Sequence, residues 1–90
     1  MTTAAERRRL ARVAALPCVV CDAPGPSCVH HIREGQGMGQ RAGHGLTIPL
    51  CWDCHQGPHG IHGDRSRWRL RKMTELDALD RTNLRLEAAA

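Results

Sequence analysis

The sequence predicts a small α+β domain stapled by zinc, and three observations carry that prediction. Two Cys-x-x-Cys pairs, Cys18–Cys21 and Cys51–Cys54, supply four thiolates in two knuckles. That set suits one tetrahedral zinc, because each x-x turn brings two sulfurs to the same metal. The chain has 90 residues, two tryptophans (Trp52 and Trp68) and no Phe or Tyr, so its core lacks the side chains that usually dominate burial in a small domain. A structural zinc offsets that shortage with roughly 10–16 kcal/mol of apparent binding energy, much of it expressed as folding energy. Apolar periodicity, finally, marks a helix at each end, with short extended segments between the two cysteine pairs.

Taken in order, residues 4–16 read as a helix, since Leu10, Val13 and Ala14 form a stripe at i, i+3, i+4. Pro17 ends it and delivers Cys18 into the first knuckle. Asp22–Ser27 contains Pro-Gly-Pro and reads as a turn. Val29–Arg33 is expected to be a strand, followed by a loop rich in glycine (Gly35, Gly37, Gly39, Gly43, Gly45). Leu46–Leu50 reads as a short strand, with Pro49 marking an edge or a knuckle approach. Cys51–His55 begins a helical turn that Gly57, Pro58 and Gly60 stop. Arg65–Lys72 holds better helix formers, and Thr74-x-x-Asp77 opens a final helix to about Ala88. In that helix Leu76, Leu79 and Leu86 are expected to share a face, with Met73 just ahead. A knuckle, a strand pair and a helix starting at the second knuckle together describe a treble clef. The expected organisation is one domain: an N-terminal basic helix over 1–16, a zinc-knuckle core over 17–63 and C-terminal helices over 64–90.

Disulfides are the rival staple, but five cysteines is an odd count and no secretory apolar segment precedes them. Thr2–Arg12 is polar and basic, and no apolar run is long enough to span a bilayer. The expectation is a cytoplasmic protein with reduced, metal-bound thiols, in which Cys28 is a small buried residue.

The net charge is +4, and twelve of the thirteen basic residues are arginines. They cluster at Arg7-Arg8-Arg9 and Arg12, and again at Arg65, Arg67, Arg69 and Arg71. Such clusters suit planar, bidentate phosphate contacts, and equally a solvated helix face. The four arginines from 65 to 71 cannot all share one helix face, so some are solvated or structural.

All six histidines fall between positions 30 and 62. In a strand, His30 and His31 point to opposite sides and take different roles. His55 follows the last knuckle cysteine directly, His59 and His62 lie in the broken segment after it, and His44 lies in the glycine-rich loop. An imidazole base beside a metal site is what phosphodiester hydrolysis requires. A divalent ion neutralises the scissile phosphate, and a neutral imidazole takes the proton from water.

The pattern C-x-x-C … H-H-I … L-C-x-x-C-H resembles the HNH endonucleases with a ββα-metal active site. The stretch Cys54-His55-Gln56-Gly57-Pro58-His59-Gly60-Ile61-His62-Gly63-Asp64, with Glu75-Leu76-Asp77-Ala78-Leu79 further on, is more particularly similar to small phage and prophage nucleases. These are nucleases of the recombination-enhancement, RecA-dependent group, and the resemblance covers about Pro17 to Leu86. It implies that Cys18, Cys21, Cys51 and Cys54 hold a structural zinc. It makes His30 a candidate ligand of a catalytic divalent metal (Mg²⁺, Mn²⁺ or Zn²⁺), His31 the general base and His55 a further ligand. His62 is the preferred additional ligand. His59 competes, because its i, i+4 spacing from His55 suits one helix face although Pro58 works against a regular helix. The name-giving Asn is missing before the second knuckle, since the only Asn is Asn83. His44 falls near that place as an orienting group or metal ligand. Arg33, Arg41, Arg65 and Arg67 are the candidate phosphate contacts.

The implied partners are DNA and a RecA-type filament or another phage recombination protein, in a bacterial host cytoplasm. The competing expectation is a non-catalytic zinc-binding DNA- or RNA-binding module that retains affinity without His31. A zinc-stapled protein–protein adaptor, without any histidine-dependent metal site, is the third.

Overall fold

The computed structural model describes residues 2–35 and 43–89. Its first helix, α1 (Ala4–Ala15), opens on a capping box, where the Thr3 hydroxyl accepts from Glu6 N–H at 3.1 Å and the Glu6 carboxylate accepts from Thr3 N–H at 3.0 Å. Val13 is buried, with Leu10 and Ala14 half-buried beside it, as the stripe predicts. The helix stops ahead of Pro17.

Strands β1 (Cys28–His31) and β2 (Thr47–Leu50) form an antiparallel pair in which His30 sits opposite Ile48 and His31 opposite Thr47. All four residues of β2 are buried, because β1 lies along one edge while α1 and the last helix pack on it. Pro49 has no N–H to donate, yet its carbonyl accepts from Val19 N–H at 3.0 Å. The first knuckle therefore docks on β2, the approach that a proline permits.

Helix α2 (Trp52–His55) starts at the second knuckle, and α3 (Ser66–Leu70) follows a reversal of the chain. Helix α4 (Glu75–Ala88) opens on the Thr74/Asp77 capping box foreseen in the sequence. The core joins Val19, Val20, Ile32, Ile48, Leu50, Ile61, Trp68 and Ala78 around the buried Cys18 and Cys54. Trp68 is core, as expected, and its indole N–H donates to the Cys54 carbonyl at 2.9 Å. Among the described residues no helix is long and apolar enough to cross a membrane.

One expectation is corrected. Cys28 is exposed rather than buried, because it opens β1 on the solvent side of Val29. Of the leucines that share a face of α4, Leu76 is 49% exposed, because the helix turns Glu75, Ala78, Thr82 and Leu86 inward instead. That face carries two polar residues, and both are satisfied. The Thr82 hydroxyl donates to Ala78 O at 2.8 Å, while the Glu75 carboxylate is held by partners described below. Two N-terminal arginines also turn inward. Arg9 donates to Thr47 O at 3.1 Å and to Asn83 Oδ1 at 2.9 Å, and Arg12 donates to Leu86 O at 2.6 Å. They tie α1 to β2 and α4.

Trp68→Phe keeps most of the apolar bulk but removes the indole donor from the Cys54 carbonyl, which retains the Ile61 N–H. The expected loss of stability from the hydrogen bond is about 0.5–1.5 kcal/mol, read from denaturant unfolding of the zinc-loaded protein. An unchanged midpoint would contradict the role given to that hydrogen bond.

Candidate active site

The four knuckle cysteines converge as their spacing predicts. Their sulfurs all lie within 4.8 Å of one another, with Cys18 and Cys54 buried and Cys21 and Cys51 half-buried. Cys21 and Cys51 Sγ are 3.6 Å apart. Two sulfurs at about 2.3 Å from one tetrahedral ion would stand roughly 3.8 Å apart, so the set fits zinc. The first knuckle is closed by Asp22 N–H donating to Cys18 O and Cys18 N–H donating to Ala23 O, both at 2.9 Å. Asp22 takes the left-handed conformation there (φ 62°). Arg67 Nε–H donates to Cys54 Sγ at 3.3 Å. Burial opposes ionisation of Cys21, but the Ala23 N–H, and then Cys51 and Arg67, bring its thiol down to about 7. A thiolate is the form that binds metal.

A second cluster lies one residue further on. The ligand atoms of His30, His55 and His62 also fall within 4.8 Å of one another. His30 Nδ1 and His55 Nε2 are 3.2 Å apart, against about 3.3 Å for two imidazole nitrogens on one tetrahedral ion. Burial first, then the neighbouring His30 and His62, hold His55 down to about 4. Burial also lowers His62, with His30 and Arg33 adding to it. Both rings are therefore neutral near pH 7, with a lone pair to offer. Among the described residues, His55 Nδ1 is buried with no hydrogen-bond partner. One shared proton could satisfy a single pair of facing nitrogens. A cation satisfies three rings, so the cluster fits a divalent ion.

The chain reversal after α2 decides which histidine joins. His62 N–H donates to His55 O at 3.1 Å, folding the segment back over α2. At Gly60 an added Cβ would meet Asp53 O at 2.7 Å, so only glycine allows the approach. His59 is left outside the cluster and exposed, with Asp64 at 3.1 Å from its Nδ1.

His31 turns to the opposite face of β1 from His30, as strand alternation requires. Its Nε2 lies 2.9 Å from His44 Nδ1. His44 is fixed in turn by the Thr47 hydroxyl, which donates to its carbonyl at 2.8 Å, and by Thr2 Oγ1, 3.5 Å from its Nε2.

Of the candidate phosphate contacts, Arg33 is exposed just past β1, and Arg65 donates to Ile61 O at 3.2 Å while its guanidinium end reaches the surface. Arg67 is committed to the thiol cluster, and Arg41 lies outside the described residues. Arg33, Arg65 and Arg69 rim a cleft of about 430 Å³ floored by Ile61, Trp68 and Met73.

Sequence reasoning gave Glu75 no role, naming it only within the family-like stretch Glu75–Leu79. Its Oε2 sits 2.8 Å from His30 Nε2, with both side chains almost fully buried. Neither that stretch nor its place as the first residue of a capped helix says anything about His30, 45 positions away.

Fold and site together define a small α+β protein with two clusters that could each hold a metal ion, one all-thiol and one all-imidazole, side by side. More particularly, the chain belongs to the recombination enhancement, RecA-dependent nuclease family, whose sequence model matches residues 2–83. The protein is thus a nuclease by family. No curated protein and no solved structure matches the chain.

Cys54→Ser removes a buried thiol from the four-sulfur set. The expected result is loss of zinc and of cooperative thermal unfolding, followed by metal analysis and circular dichroism. A zinc-free variant that still unfolds cooperatively would contradict the structural role of the cluster.

Proposed function

We propose that the protein is a metal-dependent HNH-type endonuclease that hydrolyses DNA phosphodiester bonds, built on a treble-clef, ββα-metal core. One observation carries the reading: adjacent histidines on β1 serve different surroundings, His30 among three imidazoles and His31 against His44. This is the division between ligand and base that the HNH resemblance implies.

In this reading, His30, His55 and His62 would hold a divalent ion, which would supply charge neutralisation at the scissile phosphate and stabilisation of the leaving 3′-oxygen. An all-imidazole donor set favours Zn²⁺ over Mn²⁺ and Mg²⁺, which prefer oxygen ligands. His31 acts on water. His44 Nδ1, 2.9 Å from His31 Nε2, orients the ring, and the neutral imidazole takes the proton of the attacking water. His44 replaces the missing asparagine as the group that orients the base. The Thr47 hydroxyl fixes His44, so the β-ladder register aligns the pair.

Arg33, Arg65 and Arg69 at the rim of the cleft bind the phosphodiester backbone, which gives affinity without sequence choice. Arg67 stabilises the thiol cluster, and the reading leaves Arg41 as a further backbone contact. The family description supports DNA complexed with a RecA-type filament as the target. The setting is a bacterial cytoplasm, with phage or prophage origin.

The test uses supercoiled plasmid and single-stranded DNA, with and without a RecA-type filament, in the presence of Mn²⁺, Zn²⁺ or Mg²⁺. His31→Ala is expected to cut about 10²–10⁴-fold more slowly than wild type, with folding, metal content and DNA affinity retained. His44→Ala is expected to lose less. Wild-type cutting by His31→Ala would contradict the assignment of the base. DNA retention without cutting by either protein would favour a binding module.

A further inference from the structure

Glu75 is the first residue of α4, and both of its carboxylate oxygens are occupied. Oε2 lies 2.8 Å from His30 Nε2 and accepts from Arg33 N–H at 3.0 Å, while Oε1 accepts from Glu34 N–H at 3.1 Å. Glu34 returns the contact, its carboxylate accepting from Leu76 N–H at 3.1 Å. The chain leaving β1 and the start of α4 are therefore clasped in both directions, with His30 inside the clasp.

A purely structural clasp would need only the backbone donors. The shortest contact of the group is instead the one to the imidazole. A carboxylate without a proton accepts and does not donate, so neutral His30 must carry its single proton on Nε2. The lone pair is then on Nδ1, the nitrogen that faces His55 Nε2 at 3.2 Å. Two backbone N–H donors, from Arg33 and Glu34, and its position in the first turn of α4 favour the carboxylate form of Glu75.

We infer that Glu75 is a positioning residue for the imidazole metal centre: it fixes the tautomer and ring plane of His30 so that Nδ1 faces the ion shared with His55 and His62. The inference rests on the metal centre put forward under Proposed function. The carboxylate makes His30 a more basic ligand and offsets part of the cation's charge. Such outer partners of ligating histidines typically change metal affinity by about 10–100-fold. Through the same side chain, ion binding is linked to the docking of α4 on the end of β1.

Glu75→Gln tests this in protein whose thiol cluster is loaded with Zn²⁺. An amide presents one acceptor where the carboxylate presents two, so either His30 or the Glu34 N–H loses its partner. Co²⁺ is the probe, titrated while its visible absorption is recorded. Glu75→Gln is expected to weaken uptake of the second ion about 10-fold or more, with the first Zn²⁺ retained. In a His30→Ala background the same change is expected to weaken Co²⁺ binding less than about twofold, because the residue through which Glu75 acts is gone. Equal weakening in both backgrounds would overturn the inference in favour of a structural clasp, as would unchanged affinity in Glu75→Gln.

Wild-type protein that takes up no second ion would remove the metal centre itself, and the inference with it. A variant that does not fold moves the test to wild type. There, histidine-ring ¹⁵N spectra are expected to show His30 protonated at Nε2, and protonation at Nδ1 would overturn the inference.

Discussion

Cys54 and His55 are consecutive residues of one short helix, and they belong to two different clusters. The thiol of Cys54 joins the four-sulfur set, its carbonyl accepts from the Ile61 N–H and the Trp68 indole, and His55 begins the imidazole set. Fixing the sulfurs therefore fixes His55 to within one peptide unit. A core without Phe or Tyr has little other means of holding α2 in place. The site is accurate to the degree that the knuckles are closed. Strand β1 supplies the second constraint, because its alternation sends His30 toward that helix and His31 away from it.

What the sequence made legible was whatever depends on local spacing. The knuckles, the capping box at Thr74, the strand around His30 and the buried Trp68 all follow from residue type and short-range period. The remaining features depend on where distant segments meet. His62 prevails over His59 because the chain reverses at Gly60, and i, i+4 spacing counts only inside a regular helix. The role of Glu75 was invisible, although it stands in the family-like stretch, because nothing in one sequence pairs it with His30 across 45 positions. The exposure of Leu76 was not legible because α4 buries a face containing a carboxylate and a hydroxyl, both satisfied by partners that hydropathy does not register. Cys28 follows general preference in the sequence and local geometry in the structure.

The arginines show the same division. Clustering suggested a polyanion surface, yet Arg9, Arg12 and Arg67 make hydrogen bonds inside the fold. Guanidinium groups here do part of what aromatic side chains do elsewhere, crossing between elements and occupying carbonyl and sulfur acceptors. Among the described residues the cationic surface beside the imidazole cluster is small, centred on Arg33, Arg65 and Arg69. A surface of that size contributes little affinity for a polyanion by itself, which is consistent with a family described as RecA-dependent.

The central claim is that one chain carries two metal centres of different donor chemistry. X-ray absorption at the metal edge, on protein prepared with Zn²⁺ alone, tests it most directly. Two ions per chain are expected. One shell should hold four sulfurs at about 2.3 Å, and the other imidazole nitrogens at about 2.0–2.1 Å that disappear in His55→Ala. A single ion with only sulfur neighbours, unchanged by that substitution, would contradict the account.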